Sequence, residues 1–184
     1  MSSLKNNLLT RTKNVSAKNL SDHDQKEFIQ LLKAAYSAEW LAVYQYSIEA
    51  DFLNKLNFQS RLSDKAYNQI TKELNIHTQE EFNHAKLLVP ELIKLGSEPI
   101  NNISSLASSA NGKFLVPELC HETILTQAIE SEKSAIDVYT KLVKYANTHL
   151  VTNQKFVDTL KFILDQEHEH RSDLEKLLKE FKKD

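Results

Sequence analysis

The sequence predicts an all-α protein, a four-helix bundle whose helices run up, down, down and up with one long crossover. Three observations favour this fold. The 184 residues include only two glycines and three prolines, too few for the many turns of a β protein. Apolar residues recur at steps of three and four over four long stretches. The intervals between these stretches are short, long and short, and only the long one can cross the bundle's length.

The first long helix is predicted to begin at Ser21 or Asp22, since either side chain can cap its amino end. Its apolar stripe extends to Leu53 and is interrupted by one acidic residue, Glu39. The mostly polar residues 54–62 are predicted to form a short connection.

Residues 1–20 are expected to be an N-terminal tail, distinct from a bundle of residues 21–184. The tail carries four basic residues and no acidic one. Such a tail is expected to be mobile or to dock on a neighbour. The alternative is non-specific contact with DNA phosphates.

The second helix is predicted to extend from a cap at Ser63 to about Leu95, where Gly96 closes it. Pro90 lies inside this helix. We expect a kink there, because proline removes one backbone hydrogen bond.

The longest break, residues 96–116, is predicted to be the crossover. Pro117 suits the first turn of the third helix, whose apolar stripe is again interrupted by one acid, Glu132. Residues 147–153 are predicted to be a short turn. The fourth helix is expected over residues 154–182.

The apolar stripes of the second and fourth helices each contain a Glu followed three residues later by a His. Positions i and i+3 share a helix face, and a buried carboxylate is costly unless it is paired or bound to metal. One Glu from each of two helices plus a Glu-x-x-His from each of the others is the ligand pattern of di-iron and di-manganese bundles. The six candidate ligands, which we expect to be both the metal-binding and the catalytic residues, are Glu39, Glu81, His84, Glu132, Glu167 and His170.

The charges of these groups suit two metal ions. Four carboxylates carry four negative charges, and two divalent cations balance them. Carboxylates suit hard cations and imidazole suits iron, so two iron ions are expected, with manganese as an alternative. The competing interpretation is a metal-free core in which the same groups satisfy one another.

Two further histidines share these patterns. His77 lies on the inward face one turn before Glu81 and is expected to be a satisfied core histidine. His121 follows Glu118 by three residues but lies about 16 Å along the helix from Glu132. A terminal or solvated side chain is expected there, and an accessory metal site is the alternative.

All four helices resemble those of bacterioferritins, members of the ferritin-like superfamily, over roughly residues 25–180. The resemblance implies a ferroxidase centre with two iron ions. The matching segments are Glu39-x-x-Ala42-x-x-Gln45-Tyr46, Glu81-Phe82-Asn83-His84-Ala85, Glu132-x-x-Ala135-Ile136-x-x-Tyr139 and Glu167-x-x-His170.

The resemblance also implies roles for individual residues. Glu39 and Glu132 would be terminal carboxylates, whereas Glu81 and Glu167 would bridge the metals. Tyr46 would donate a hydrogen bond to a ligand carboxylate.

The family often places an acid before each Glu-x-x-His to orient the other helix's histidine. Glu80 and Gln166 occupy these positions. A glutamine accepts an imidazole N–H less strongly than a carboxylate does.

Two departures from the family pattern bear on cofactor and assembly. Haem-binding bacterioferritins ligate haem with a methionine where this chain has Phe82, so no haem is expected. The chain ends at Asp184, without the fifth helix of 24-subunit ferritins. We therefore expect a homo-oligomer resembling the smaller Dps shells of twelve subunits, with a dimer as the fallback. The side chains expected at a two-fold contact are Trp40, Tyr44 and Phe52, with packing beneath the crossover as their alternative role.

Three functions compete at this stage. The first is a ferroxidase that stores or detoxifies iron by oxidising Fe(II) with O2 or H2O2. The second is a di-iron oxygenase or peroxidase, rubrerythrin-like or hydroxylase-like, which an apolar pocket opening onto the site would favour. The single cysteine, Cys120, argues against the four-cysteine module of rubrerythrin. The third is a Dps-like DNA-protecting protein.

The remaining composition adds few constraints. A net charge of −2 gives no general reason to bind nucleic acid or acidic lipid. No apolar stretch is long enough for a signal sequence or a membrane span. A cytoplasmic protein without a membrane partner is expected.

Overall fold

A computed structural model describes residues 21–110, 116–118, 120–149 and 153–182. These residues contain five helices and no strand, which confirms the all-α prediction. The predicted N-terminal tail lies outside the described residues. No described helix is long and apolar enough to cross a membrane. The helices are α1 (Asp22–Phe58), α2 (Asp64–Lys94), α3 (Ile103–Ser109), α4 (His121–His149) and α5 (Gln154–Phe181).

The four long helices form two antiparallel pairs, α1 with α2 and α4 with α5. Tyr145, near the end of α4, donates a 2.6 Å hydrogen bond to the carbonyl of Asp24 at the start of α1. Lys65, at the start of α2, lies 2.7 Å from Glu180 at the end of α5. Both cross-pair neighbours are therefore antiparallel as well, and the helices run up, down, down and up as predicted.

The amino ends of α1 and α2 are capped by serines. The hydroxyl of Ser21 accepts the amide of Asp24 at 3.1 Å, and that of Ser63 accepts the amide of Ala66 at 3.2 Å. Each cap satisfies a backbone N–H that has no partner within the helix. Gly96 has a φ of 75°, the left-handed conformation that commonly ends a helix.

Two predicted boundaries are wrong. α1 continues through the first part of the predicted connection to Phe58, because Leu56 is buried and extends the apolar stripe by one step of three. α4 begins at His121 instead of Pro117. The carbonyl of Cys120 accepts the amide of Ile124 at 3.0 Å, so the helical hydrogen bonds start there. Pro90 stays within α2, which continues to Lys94.

The crossover contains α3, a short helix that the sequence did not predict. The side chain of Asn102 caps it by accepting the amide of Ser105 at 2.8 Å. Ile100 and Leu106 pack against the core beside α1. A helix this short is unstable alone, so α3 is stabilised by its packing on α1. The periodicity of the sequence contains no signal of this packing.

The apolar core has two parts at opposite ends of the bundle. The first is built from the start of α1, the end of α2, the end of α4 and the start of α5. The second is built from the opposite ends of the same helices. Representative buried residues are Phe28, Leu88, Leu142 and Leu160 in the first part and Leu53, Ile70, Leu125 and Leu174 in the second. A polar layer therefore lies between two apolar ones.

Adjacent leucines in α2 provide a test of this packing. Leu88 is 0% exposed and Leu87 is 40% exposed. Leu88→Ala is expected to lower the free energy of unfolding by about 2–5 kcal/mol, because it leaves a cavity in the core. Leu87→Ala should cost less than about 1 kcal/mol. Urea unfolding of the metal-free proteins at one concentration measures both values, and equal losses would contradict the assigned helix face.

Candidate metal centre

The polar layer at mid-length of the bundle contains all six candidate ligands. Each occupies a position on the inward stripe of its helix, where the helical period would otherwise place an apolar side chain. None is more than 3% exposed. α1 contributes one Glu, α4 contributes another, and α2 and α5 each contribute a Glu and a His. The residues brought together are Glu39, Glu81, His84, Glu132, Glu167 and His170.

These residues form two groups of four that share two members. One group is Glu39, Glu81, His84 and Glu167, and the other is Glu81, Glu132, Glu167 and His170. Within each group, one potential ligand atom per residue lies within 4.8 Å of all the others. The two glutamates common to both groups belong to the Glu-x-x-His segments, so the carboxylates expected to bridge are the shared ones.

Each shared carboxylate faces both histidines. Oε2 of Glu81 lies 2.9 Å from Nδ1 of His84, and its Oε1 lies 3.2 Å from Nδ1 of His170. The two oxygens of Glu167 lie 3.0 Å and 3.8 Å from the same two nitrogens. One oxygen directed to each histidine is the arrangement that a carboxylate needs to bridge two metal ions.

The other two glutamates lie on the outer sides of the pair. Oε2 of Glu39 is 3.6 Å from Nδ1 of His84, and Oε2 of Glu132 is 3.8 Å from Nδ1 of His170. Glu39 and Glu132 therefore each lie beside one histidine only, as is expected of a terminal ligand.

A tyrosine from the facing helix holds each terminal glutamate. Tyr46 on α1 donates to Oε1 of Glu132, as expected. Tyr139 on α4 donates in the same way to Oε1 of Glu39. The role of Tyr139 was missed, although the sequence contains its signature: a tyrosine follows the glutamate by seven residues in both helices.

The Nε2 atoms of His84 and His170 also have hydrogen-bond partners. Nε2 of His84 lies 3.0 Å from Oε1 of Gln166, and Nε2 of His170 lies 2.9 Å from Oε2 of Glu80. Gln166 in turn donates to Glu80 at 3.3 Å. Each histidine thus finds its partner on the other helix, as the family resemblance implied. A proton on Nε2 leaves Nδ1 free to ligate a metal.

Burial and mutual charge set the protonation of this cluster. Burial and the nearby Glu81 carboxylate raise the pKa of Glu39 to about 8. The same two causes raise the pKa of Glu167 well above its usual range. Burial alone would lower the pKa of His170, but the Glu132 and Glu81 carboxylates beside its ring raise it to about 12. Protons therefore supply the positive charge in the metal-free cluster, and metal binding would release them.

Several buried atoms of the cluster make no hydrogen bond among the described residues, although an oppositely charged atom lies 3.0–3.8 Å from each of them. They are both oxygens of Glu167, Oε2 of Glu132 and Nδ1 of His170. Four buried polar atoms without a hydrogen bond in one place are unusual for a protein core. Carboxylate and imidazole donors suit iron or manganese. The residues fit two metal ions, one held by Glu39 and His84, the other by Glu132 and His170.

Comparison with known proteins agrees with this geometry. Residues 29–183 match the ferritin-like domain family.

The chain belongs to the ferritin-like family.

Three relatives illustrate its place within that family. The DNA protection during starvation protein of Pyrococcus furiosus is 29% identical over 157 residues, which cover 84% of this chain and 78% of the relative. A dodecameric thioferritin, the bacterioferritin-related protein of Bacteroides fragilis, has a TM-score of 0.75 and 28% identity, covering 85% of this chain and 87% of that one. A ferritin-like, diiron-carboxylate protein of Bacillus anthracis shares the fold, with a TM-score of 0.68, 22% identity and coverages of 86% and 99%.

His77 is buried beside the ferritin-like centre but is only partly satisfied. Its ring stacks on that of His170, with centroids 4.1 Å apart. Its Nε2 lies 3.3 Å from Oε1 of Glu73, whereas its Nδ1 has no hydrogen-bond partner among the described residues. Burial lowers the pKa of His77 to about 3, so the ring is neutral. The expectation of a satisfied core histidine is therefore only half correct.

His121 lies at the bundle end, as expected, but it is not solvated. The side chain is 8% exposed, and its Nε2 lies 2.7 Å from the backbone carbonyl of Phe181. The imidazole ties the start of α4 to the end of α5. Of the two expected placements, terminal or solvated, the structure therefore shows the terminal one, since α4 begins at this residue.

A cavity of about 340 Å³ opens between α1 and α4. Small residues leave this gap: Ala38 and Ala42 on α1 face Ser131, Ser134 and Ala135 on α4. Three of the candidate ligands also line it, namely Glu39, Glu81 and Glu132. Small molecules can therefore approach the cluster from the α1–α4 face.

Glu49 is a buried acid that the sequence did not single out. It is 0% exposed, and Gln45 donates to its Oε1 at 2.6 Å. Burial raises the pKa of Glu49 to about 8, although the hydrogen bond from Gln45 acts in the opposite direction. Tyr46 and Leu53, at i−3 and i+4, share its helix face, and this spacing is the one sequence clue to its burial.

Glu49 predicts a pH dependence of stability. The folded state holds the Glu49 proton up to about pH 8, whereas the unfolded state loses it near the usual glutamate pKa of 4.5. Stability therefore falls as pH rises between these values, by up to about 1.4 kcal/mol per pH unit. Glu49→Gln should remove this loss, so its stability gain over the wild type should grow from pH 5 to pH 8. Urea unfolding of metal-free protein measures it, with Glu27→Gln, an exposed acid of α1, as control. A gain independent of pH would contradict the assignment.

Proposed function

We propose that this protein is a ferroxidase that stores or detoxifies iron, oxidising Fe(II) with O2 or H2O2 at the centre formed by the six ligands. One observation carries the proposal: Glu81 and Glu167 each direct one oxygen to each of the two histidines. This arrangement suits two Fe(II) ions held side by side, where one oxidant molecule can take an electron from each. Iron is here the substrate that the residues bind and release.

The protein's own groups have distinct tasks in this function. The shared carboxylates hold the two ions at a fixed separation, about 3.5–4 Å in other two-metal sites. Tyr46 and Tyr139 keep the terminal carboxylates pointing inward. Four carboxylates balance two divalent ions, so arriving Fe(II) replaces protons without leaving net charge in the core.

The relatives support a closed assembly. The thioferritin of Bacteroides fragilis is dodecameric, and we propose a shell of twelve subunits for this chain, with a dimer as the alternative. Of the three side chains expected at a two-fold contact, Tyr44 is 56% exposed. Trp40 packs on Phe82 within the chain, and Phe52 packs against the second part of the core.

A second candidate function has a specific observation in its favour. The α1–α4 cavity reaches three candidate ligands and is lined partly by Leu41, Ala42 and Val138. A small organic substrate bound there would lie beside the centre, as an oxygenase or peroxidase requires. DNA protection rests only on the relative from Pyrococcus furiosus, and we assign no DNA contact to the described residues.

The ferroxidase proposal predicts that Glu81→Ala abolishes rapid Fe(II) oxidation. The variant loses a carboxylate shared by both ions, so neither ion keeps its position. Oxygen consumption and ultraviolet absorbance of the ferric product measure the rate. Asn83→Ala is the control, because Asn83 is an exposed residue of the same helix turn and should leave the rate unchanged.

The fold of the Glu81→Ala variant should survive. The apolar layers on both sides of the cluster remain intact in the variant, so its helicity is expected to be unchanged. Circular dichroism and thermal unfolding establish this independently of activity. Wild-type oxidation rates in the variant would place the chemistry elsewhere in the protein.

Storage and assembly are tested together by adding a large excess of Fe(II) to the native oligomer. A ferroxidase shell should oxidise many ions per chain and retain the ferric product inside one large particle, which light scattering and iron analysis after size-exclusion chromatography detect. A monomer of 21.2 kDa would contradict the assembly proposal. Oxidation that stops once the centre is filled would favour the oxygenase or peroxidase alternative.

A further inference from the structure

A chain of hydrogen bonds joins the outer nitrogens of His84 and His170. Nε2 of His84 lies 3.0 Å from Oε1 of Gln166, and Nε2 of Gln166 donates to Oε1 of Glu80 at 3.3 Å. Oε2 of Glu80 lies 2.9 Å from Nε2 of His170. Two residues outside the candidate ligand set therefore connect the two halves of the centre.

The chemistry of these groups fixes the direction of every hydrogen bond in the chain. A carboxylate only accepts, so the amide nitrogen of Gln166 and Nε2 of His170 both donate to Glu80. The amide oxygen of Gln166 then faces His84, whose Nε2 carries the proton that it donates. His170 thus donates directly to the carboxylate, whereas His84 reaches the same carboxylate through an amide.

The two imidazoles are consequently unequal as ligands. The hydrogen bond from His170 to a carboxylate is charge-assisted and makes its Nδ1 more basic. His84 donates to a neutral amide, which increases the basicity of its ring less. The terminal carboxylates do not offset this difference, because Glu39 and Glu132 each accept a hydrogen bond from one tyrosine. A cation beside His170 therefore has the stronger imidazole ligand.

A second difference acts in the same direction. The ring of His77 stacks on that of His170, and ligand atoms of these two residues and Glu132 lie within 4.8 Å of one another. Nδ1 of His77 is buried and makes no hydrogen bond among the described residues. The corresponding position of α5, four residues before Glu167, is Ile163, whose side chain has no donor atom. The additional imidazole thus lies on the side of His170.

We propose that Glu80 and Gln166 make the centre fill in a fixed order. The first divalent cation binds beside His170, and the second binds beside His84. Glu80 and Gln166 act through the histidines, so they are positioning residues. The order rests on the proposed function, since it requires two ions in the centre. A chain with one bound Fe(II) therefore holds it beside His170, and the weaker position beside His84 completes the pair.

Partial loading with Zn(II) tests the order, because zinc accepts carboxylate and imidazole ligands and is not oxidised. Crystals of protein that carries one Zn(II) per chain should show, at the zinc edge, a stronger anomalous peak beside His170 than beside His84. Crystals with two Zn(II) per chain should show equal peaks. The ratio of the two peak heights at one Zn(II) per chain measures the preference without any turnover.

The exchange Glu80→Gln/Gln166→Glu keeps side-chain size and net charge, and it moves the carboxylate to the partner of His84. The preference for the His170 position should fall roughly tenfold, as is usual when a residue that hydrogen-bonds to a metal ligand is changed. A merely structural role for Glu80 and Gln166 would lower both peaks together and leave their ratio unchanged.

The matched control is Gln79→Glu/Glu169→Gln. It exchanges the same two residue types on the same two helices, but both side chains are exposed. Solvent screens charges at such positions. The ratio of the peak heights should therefore keep its wild-type value in the control.

The outcomes separate the filling order from the proposed function. Equal peaks in wild-type crystals at one Zn(II) per chain, or a stronger peak beside His84, would overturn the order. A wild-type ratio in Glu80→Gln/Gln166→Glu, or an equal fall in the control, would overturn the role of Glu80 and Gln166. A centre that stays empty at two Zn(II) per chain would overturn the two-metal centre as well. Ordered filling without Fe(II) oxidation would contradict the ferroxidase function alone.

Discussion

The rest of the structure depends on the burial of four carboxylates between two apolar layers. A carboxylate in such surroundings needs a compensating positive charge, and the described lining of the layer supplies two imidazoles for four acids. The raised pKa values of Glu39 and His170 show how the metal-free protein responds, by holding protons. Two divalent cations meet the same need without protons. Metal binding would therefore stabilise the bundle at the point where its core is least apolar.

The candidate ligands and the tyrosines that bond to them follow one pattern that occurs twice in the chain. The α1–α2 pair contributes a Glu, a Tyr seven residues later and a Glu-x-x-His, and the α4–α5 pair contributes the same set. Each tyrosine holds the glutamate of the other pair, and each histidine is held from the opposite helix. The repetition is imperfect at Glu80 and Gln166, where one histidine faces a carboxylate and the other a neutral amide. The surroundings of the two histidines are therefore electrostatically unequal.

The two open faces of the bundle differ in chemistry. The α1–α4 face has a cavity bordered by alanines and serines, which suits small neutral molecules. The α2–α5 face carries carboxylates and a histidine, which suit cations. The cavity on the α1–α4 face reaches Glu81, one of the two shared glutamates.

The sequence by itself determined the helical fold, its topology and the inward placement of the six candidate ligands, because the helical period places residues on faces whatever their partners are. Glu39 and Glu132 stand out only because apolar residues surround them at steps of three and four. Periodicity could not find α3, which is stabilised by its contact with α1, or the start of α4, which depends on how His121 meets Phe181. The burial of Glu49 and the double contact of His77 likewise required the tertiary structure, since both depend on which helix faces which. The sequence determines which residues share a face of each helix, whereas contacts between helices form only when the helices pack.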